Sequence, residues 1–294
     1  MSLIDRLSDI TRCDLNTYDA FVVNGIRVGS IVPTFTKQLQ QFPEVFEIKD
    51  NTVSVSPSLT SPEHRTEAVA QCLKELRQQG VVHGWREELY PVSTGFQASP
   101  LFLIERAAAT LFGIRIYAVN LSGYVQNENG LSLWIARRSM TKQTSPGKLD
   151  TMVSGGQPAG VTVRDNLIKE CAEEANLPAH LAQRAISTGG ISFCTERPEG
   201  VLMYFQFNFD LEIPVDFVPE NTDGEVDSFQ LWTAEQLREC VANTREFSYD
   251  SALVAIDFMI RHGVIESDDP EYTDLVLGLR TGFYTDPMHT NRES

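Results

Sequence analysis

No apolar run in this 294-residue chain approaches the roughly 20 residues that a membrane-crossing helix needs, so a membrane partner is not expected. Positive charge is scarce. Lys and Arg number 24 against 40 Asp and Glu, a formal net charge of −16, which disfavours a broad nucleic-acid interface, because such binding draws its affinity from many Lys and Arg contacts. Cysteine is sparse and scattered. Cys13, Cys72, Cys171, Cys194 and Cys240 are odd in number and contain no C-x-x-C pair, which argues against a zinc cluster and a disulfide framework and points to a reducing cytoplasm. The opening MSLIDRLSDITRCDL carries acids among its first dozen residues and no apolar block, so neither a secretory signal nor a mitochondrial-type leader is expected. Internal repeats and low-complexity linkers are absent too.

What is present suits a water-soluble chain of two domains: 42% of residues are hydrophobic and 22% charged, enough to bury a substantial core. Residues 21–55 read as short strands and turns around Asn24-Gly25 and Pro33. A helix follows, capped by Ser61, with Pro62 in its first turn, a stripe of Val69, Cys72, Leu73 and Leu76, and Gly80 as its stop. Apolar spacing predicts a second helix from Pro100 to Phe112, between Ser99 and Gly113. From Ile114 the pattern turns to strands, with helices over Thr233–Val241, where Thr233 and Gln236 make a capping box, and over Ser251–Arg261. Leu275 to Leu279 is an apolar stretch in an acidic tail and would dock back on the body.

The segment from Gly155 to Leu177, GGQPAGVTVRDNLIKECAEEANL, carries the chemistry. Thr162 is a helix N-cap with Asp165 three residues on, and Leu167, Ile168 and Cys171 recur at helical spacing. Glu170, Glu173 and Glu174 therefore share one face at i, i+3 and i+4, behind a glycine loop at Gly155 and Gly156. Two carboxylates some 4 Å apart repel by about 4 kcal/mol at an effective dielectric near 20, so the cluster is either well solvated or neutralised by a cation. A hard, oxygen-preferring ion such as Mg²⁺ fits three carboxylates best. Arg137, Arg138, Lys142 and Lys148 lie in a stretch without acids and read either as scattered hairpin charges or as contacts to a phosphate.

This segment resembles the Nudix box, G-x5-E-x7-R-E-U-x-E-E-x-G-U with U bulky and apolar. Gly155 takes the first glycine, Glu170 the Glu after the Arg, Cys171 the U, Glu173 and Glu174 the Glu pair and Leu177 the last U, whereas Val161, Lys169 and Asn176 stand where the box has Glu, Arg and Gly. Asn tolerates the left-handed turn that ends the helix. The other two departures weaken the loop's bracing more than its metal binding. LWIARRS, Lys142, PGKLD, MVSGG, KECAEEA, DGEV, FQLW and SALVAIDFMIRHGVI are similar to one subfamily, the Nudix part fused to some thiamine pyrophosphokinases.

The resemblance implies an α/β fold, a Nudix α/β/α sandwich with a mixed sheet over residues 113–266, preceded by an α+β extension at 1–112 and followed by a tail at 267–294. It also implies a metal-dependent hydrolase of a small phosphorylated substrate, an oxidised or damaged thiamine diphosphate. Glu170, Glu173 and Glu174 would hold Mg²⁺, with Mn²⁺ admitted, and Gly155, Gly156, Arg137, Arg138, Lys142 and Lys148 would meet the substrate. Catalysis would fall to Glu173, Glu174 and a base outside the box, for which Glu225 leads and Glu196 and Glu199 are alternatives. Trp134, Phe193, Tyr204 and Trp232 are either core residues or a stacking surface, and the stretch from Trp85 to Phe96 would cover one side of the pocket. His262 reads as a helix-end packing residue and Cys171 as a small buried hydrophobe. Hydrolysis of ADP-ribose or an oxidised nucleoside diphosphate, and a catalytically silent binding module, remain open, as does the oligomeric state, a homodimer included.

Overall fold

The computed structural model describes residues 2–10, 13–128 and 130–280. Among the described residues thirteen strands form three sheets. Asp19–Val23 (β1), Ile26–Ile31 (β2), Phe46–Lys49 (β3) and Thr52–Val55 (β4) make the first, in the order β2-β1-β4-β3 with β1 and β4 parallel. Leu89–Val92 (β5) and Phe102–Glu105 (β6) form an antiparallel pair. Arg115–Asn127 (β7), Gly130–Arg138 (β8), Leu149–Asp150 (β9), Val153–Gly156 (β10), Ile186–Arg197 (β11), Gly200–Glu212 (β12) and Val226–Thr233 (β13) build the third. Its order is β11-β12-β7-β8-β13, with β10 on β7 and β9 on β8, and it is mixed because β12 runs parallel to β7. The helices are Ile4–Ser8 (α1), Pro33–Leu39 (α2), Pro62–Gln78 (α3), Val163–Ala175 (α4), Ala179–Ala182 (α5), Ala234–Asn243 (α6), Tyr249–Arg261 (α7) and Tyr272–Gly278 (α8).

Strand alternation distributes the helices over the large sheet. Val119, Leu121, Phe209 and Leu211 point to one face and bury Leu167, Cys171 and Ala175 of α4. Leu133, Ile135, Ile191 and Phe193 point to the other and bury the apolar side of α7 with Leu237 and Val241 of α6. The result is an α/β/α sandwich around a mixed sheet. A separate core joins the first sheet and α3 to β5 and β6, and it reaches Ile114 and Ile116 at the start of β7. Leu275 and Leu279 are buried in the α7 core, so the apolar stretch of the tail does dock back, while residues 281–294 of the expected tail lie outside the described residues.

Two local expectations are corrected. The helix expected from Pro100 to Phe112 is the strand β6 followed by a 3₁₀ turn at Arg106–Ala108. Phe102 and Ile104 are buried while Leu103 between them is only partly so, and pairing with β5 selects the two-residue period over the helical one. Pro33, expected among turns, opens α2 at its first position, where a missing N–H costs nothing. The caps at Ser61, Thr162 and Thr233 form, the last as a full capping box.

The end of α7 is tied to the sheet by charge. Arg261 pairs with Asp257 at 2.9 Å and bonds Asp210, which also takes a 2.7 Å hydrogen bond from His262, itself stacked on Phe258 at 4.0 Å. Burial works against the charged form of Asp210, but His262 and Arg261 outweigh it and hold the carboxyl below its ordinary value. A carboxyl lowered in this way stabilises the fold above its unfolded value of 3.8, and that contribution disappears as pH falls through the lower folded value. Asp210→Asn is expected to cost about 2–4 kcal/mol at pH 7. In urea melts the gap from the parent chain should narrow as pH falls below 3.8; equal stabilities at pH 7 would contradict it.

Candidate active site

The strand β10 ends in Gly155 and Gly156, and α4 starts seven residues later under the Thr162 cap. Asn176 closes the helix at φ +50°, the left-handed turn the box glycine would make, and Leu177 N–H bonds the Cys171 carbonyl at 3.0 Å. Two amides brace the loop between strand and helix. Asn166 Nδ2 donates to the Gly156 carbonyl at 2.8 Å and Gln157 Nε2 to the Val161 carbonyl at 2.7 Å. The loop expected to be under-braced by Val161 and Lys169 is thus held by side chains the motif does not mark.

The three box glutamates occupy different environments on their shared face. Glu174 is 4% exposed, accepts the Ser154 N–H at 2.8 Å and lies 3.4 Å from Lys142 Nζ. Burial pushes its carboxyl up to about 8, against the pull of Lys142 and the Ser154 amide. Glu170 is raised too, chiefly by burial, and its carboxyl fills the space a Cβ on Gly155 would need. Glu173 is half-exposed on the helix shoulder, where Lys169 Nζ reaches it at 2.8 Å and Glu170 at 3.0 Å. Lys142 bonds Glu225 as well, and Arg86 lies 3.8 Å from Glu225. Burial opposes the charge on Glu225, but Lys142 and the nearby arginines hold it below the usual carboxylate range.

Among the described residues no three acids, histidines or cysteines converge at metal-holding spacing. Instead two ammonium groups each bridge a pair of the four carboxylates, Lys169 between Glu170 and Glu173 and Lys142 between Glu174 and Glu225, so acid outnumbers base two to one. An all-carboxylate donor set already drawing in cations fits a hard divalent ion.

Above this cluster lies a cavity of about 600 Å³ with walls from both halves of the chain. Ser154, Gly155, Gly156, Arg138 and Lys142 line it, opposite Arg86, Tyr90 and Arg106 of the N-terminal portion, and Leu202, Tyr204, Tyr249 and Asp250 complete the wall. The halves meet closely. Ala159 N–H bonds the Leu89 carbonyl at 3.0 Å, Arg115 Nη1 bonds the Thr94 carbonyl at 2.8 Å, and the Tyr90 hydroxyl sits where a Cβ on Gly156 would be. Arg106 stands over the Tyr90 ring at 5.7 Å and pairs with Glu88 at 2.7 Å.

The expected cations separate. Arg138 and Lys142 line the cavity, Arg138 bonded to Asp150 at 2.6 Å, whereas Arg137 and Lys148 lie outside the cavity wall. Arg137 donates to the Gly147 carbonyl at 2.8 Å and Lys148 to the Arg245 carbonyl at 2.6 Å. Neighbouring strand residues point to opposite faces, so Arg137 and Arg138 part company. Lys142, expected at a phosphate, lies between carboxylates. Of the four aromatic candidates Tyr204 lines the cavity, Phe193 is fully buried, and Trp134 and Trp232 pack against core clusters. Glu199 lines the cavity and Glu196 does not. Arg86 and Arg106 were not marked by sequence reasoning. Arg86 falls in the stretch expected to cover the pocket, but Arg106 sat in the misassigned helix, and only the β5–β6 pairing brings it round.

Residues 2–116 match a family described as a domain of unknown function, DUF4743. Over 283 residues the chain is 43% identical to Nudix hydrolase 24, chloroplastic, of Arabidopsis thaliana, spanning 94% of this chain and 78% of that protein. It is 40% identical over 285 residues to Nudix hydrolase 20, chloroplastic, of the same plant, spanning 92% and 76%. Among solved structures, the MutT protein from Methanosarcina mazei Go1 is 18% identical and covers 52% of this chain and 96% of its own, at a TM-score of 0.38.

Proposed function

The chain belongs to the Nudix hydrolase family, and we propose that it is a pyrophosphohydrolase of a small phosphorylated substrate, cleaving the diphosphate of oxidised or otherwise damaged thiamine diphosphate. The observation that carries this reading is the cavity. It joins the strand Ser154, Gly155 and Gly156, against which Glu174 and Glu170 pack, to the cations Arg86, Arg106 and Lys142 and to a wall of Tyr204 and Tyr249, which suits a diphosphate attached to an aromatic ring. The flanking segments similar to the thiamine pyrophosphokinase-fused branch supply the ring's identity.

Glu170, Glu173 and Glu174 are the residues that would hold the divalent ion, Mg²⁺ or Mn²⁺. When bound, such an ion offsets charge on the leaving phosphate and acidifies a water. Glu225, kept ionised by Lys142 and Arg86, is the group suited to take the proton of the attacking water. Lys142 holds Glu225 and Glu174 in register, and Gly155 and Gly156 let the Glu170 carboxyl and the Tyr90 hydroxyl close against the strand at the edge of the cavity. Arg86 and Arg106 would bind the phosphate oxygens, which makes residues 1–112 part of the site, with 113–266 as the catalytic domain and 267–294 as the tail, of which Leu275 and Leu279 dock on the body. Five scattered cysteines without a C-x-x-C pair favour a reducing, cytoplasmic setting. No helix among the described residues is long and apolar enough to cross a membrane.

The test is a panel of thiamine diphosphate, its oxidised analogues, ADP-ribose and oxidised nucleoside diphosphates with Mg²⁺ or Mn²⁺, scored by kcat/KM. Preference for the damaged thiamine forms supports the reading. Preference for ADP-ribose overturns it, and no turnover on any member revives the silent binding module. Arg106→Gln should raise KM for the preferred diphosphate about 10- to 100-fold with kcat changed only a few-fold, the mark of a group that binds ground state and transition state alike. An unchanged KM would remove Arg106 from the phosphate end.

A further inference from the structure

Among the polar groups of the cavity wall that hydrolysis does not use is a carboxyl beside the two tyrosines. Asp250, in the first turn of α7, forms part of the wall, between Tyr249 and the strand that carries Tyr204. Among the described residues it has no ion-pair partner, because the nearest guanidinium, Arg138, is engaged by Asp150 at 2.6 Å. Its hydrogen-bond contacts are the Ser248 hydroxyl, its own backbone N–H and, at 3.5 Å, Gln206 Nε2, all of them from the protein side of the cavity wall. Gln206 is fully buried behind it, and its own Oε1 has no partner among the described residues. Asp250 is half-buried, and a carboxyl drawn partly out of water is stabilised by each further donor that reaches it. Burial, followed by the charge of Asp150, raises its pKa, in keeping with an acceptor short of donors.

Tyr204 and Tyr249 give this end an aromatic wall. Both lean on Phe193, at 5.3 Å and 5.8 Å between ring centroids, and Arg197 covers Tyr249 at 4.0 Å. The tyrosines are therefore fixed in place. The cations Arg86, Arg106 and Lys142 and the box glutamates account for a diphosphate, but nothing in phosphate chemistry asks for a bare carboxyl beside two tyrosines.

We infer that Asp250 is a specificity residue that accepts a hydrogen bond from an N–H on the edge of the substrate's nitrogen heterocycle, with Gln206 as the positioning residue behind it. The inference rests on the reading of this cavity as the pyrophosphohydrolase site. It commits the substrate to a ring that carries an amino group or a ring N–H and rejects a ring of the same shape without one. A pyrimidine-type ring and an adenine share that edge, so the experiment separates them.

Two matched pairs are assayed by kcat/KM on the full chain: thiamine diphosphate, or whichever damaged form the protein prefers, against its 4-deamino analogue, and ADP-ribose against its 6-deamino analogue. For the pair that contains the true substrate, the parent protein should favour the N–H form by roughly 10- to 100-fold, the discrimination expected when a half-buried acceptor is left unpaired. Asp250→Leu should bring the ratio close to one. Gln206→Met, which keeps the carboxyl and nearly the same volume, should shrink it part of the way. A general loss of folding or activity lowers both members of a pair together and leaves the ratio alone, so the ratio isolates Asp250. Discrimination only in the ADP-ribose pair would uphold Asp250 and sink the thiamine reading. Equal rates within both pairs, or a ratio that survives both substitutions, would overturn the assignment.

Discussion

Glu174→Gln is expected to lose about 10³-fold in turnover and at the same time to resist unfolding better than the parent chain at pH 8. The two effects share one cause. Glu174 is buried with its carboxyl pushed up to about 8 against an ordinary 4.5, so keeping it ionised in the folded protein is costly. A carboxyl with a raised folded value gives its full stabilisation below pH 4.5 and loses it as pH rises through about 8. At pH 8 and above the penalty amounts to roughly 3–5 kcal/mol. Gln cannot ionise, keeps an oxygen for the Ser154 N–H at 2.8 Å, and leaves Lys142 paired with Glu225. Thermal melts in chelator should therefore show the variant gaining on the parent between pH 5 and pH 8, while Mg²⁺-dependent phosphate release disappears. Retained turnover would remove Glu174 from the metal site. A variant that melts lower at pH 8 would mean that its carboxylate is a structural anchor.

The sequence made the chemistry of α4 legible because that information is local. A Thr cap, helical spacing of Leu167 and Cys171, and acids at i, i+3 and i+4 are all set within fifteen residues, and the structure has the helix from Val163 to Ala175. The unequal environments of the acids were not legible. Glu174 turns under Ser154 and Glu173 turns out to Lys169, a difference that depends on which side of the helix meets β10. Residues 100–112 misled for a physical reason. FLI in a short apolar run satisfies either period, and only the partner strand β5 decides it. Arg106 vanished with that error. The amide braces escaped as well, since Asn166 and Gln157 carry no charge and match no motif, yet they take over the place where Val161 and Lys169 depart from the box.

Gly156→Ala is expected to cost about 1–3 kcal/mol in stability and roughly 10- to 100-fold in kcat/KM, although it adds a single methyl. A Cβ at that position would overlap the Tyr90 hydroxyl and would lie 3.1 Å from Tyr90 Cζ and 3.4 Å from Arg106 Cζ. Tyr90 is 3% exposed and belongs to β5, so it cannot swing aside without carrying its strand and the Arg106 guanidinium above it. The methyl therefore acts as a wedge between the glycine strand and the N-terminal portion. If that is how it acts, removing the obstacle should reverse it. Tyr90→Phe deletes the overlapping oxygen and should recover a large part of both losses in the Gly156→Ala background, a coupling of about 1 kcal/mol or more between the two sites. Urea melts and kcat/KM on the four-member cycle read the two effects separately. Additive losses would mean that the methyl disturbs β10 itself. Recovery of stability without recovery of activity would mean that the halves can re-dock while Arg106 stays out of place, which would make the arginine's position, and not the contact between the halves, the requirement for turnover.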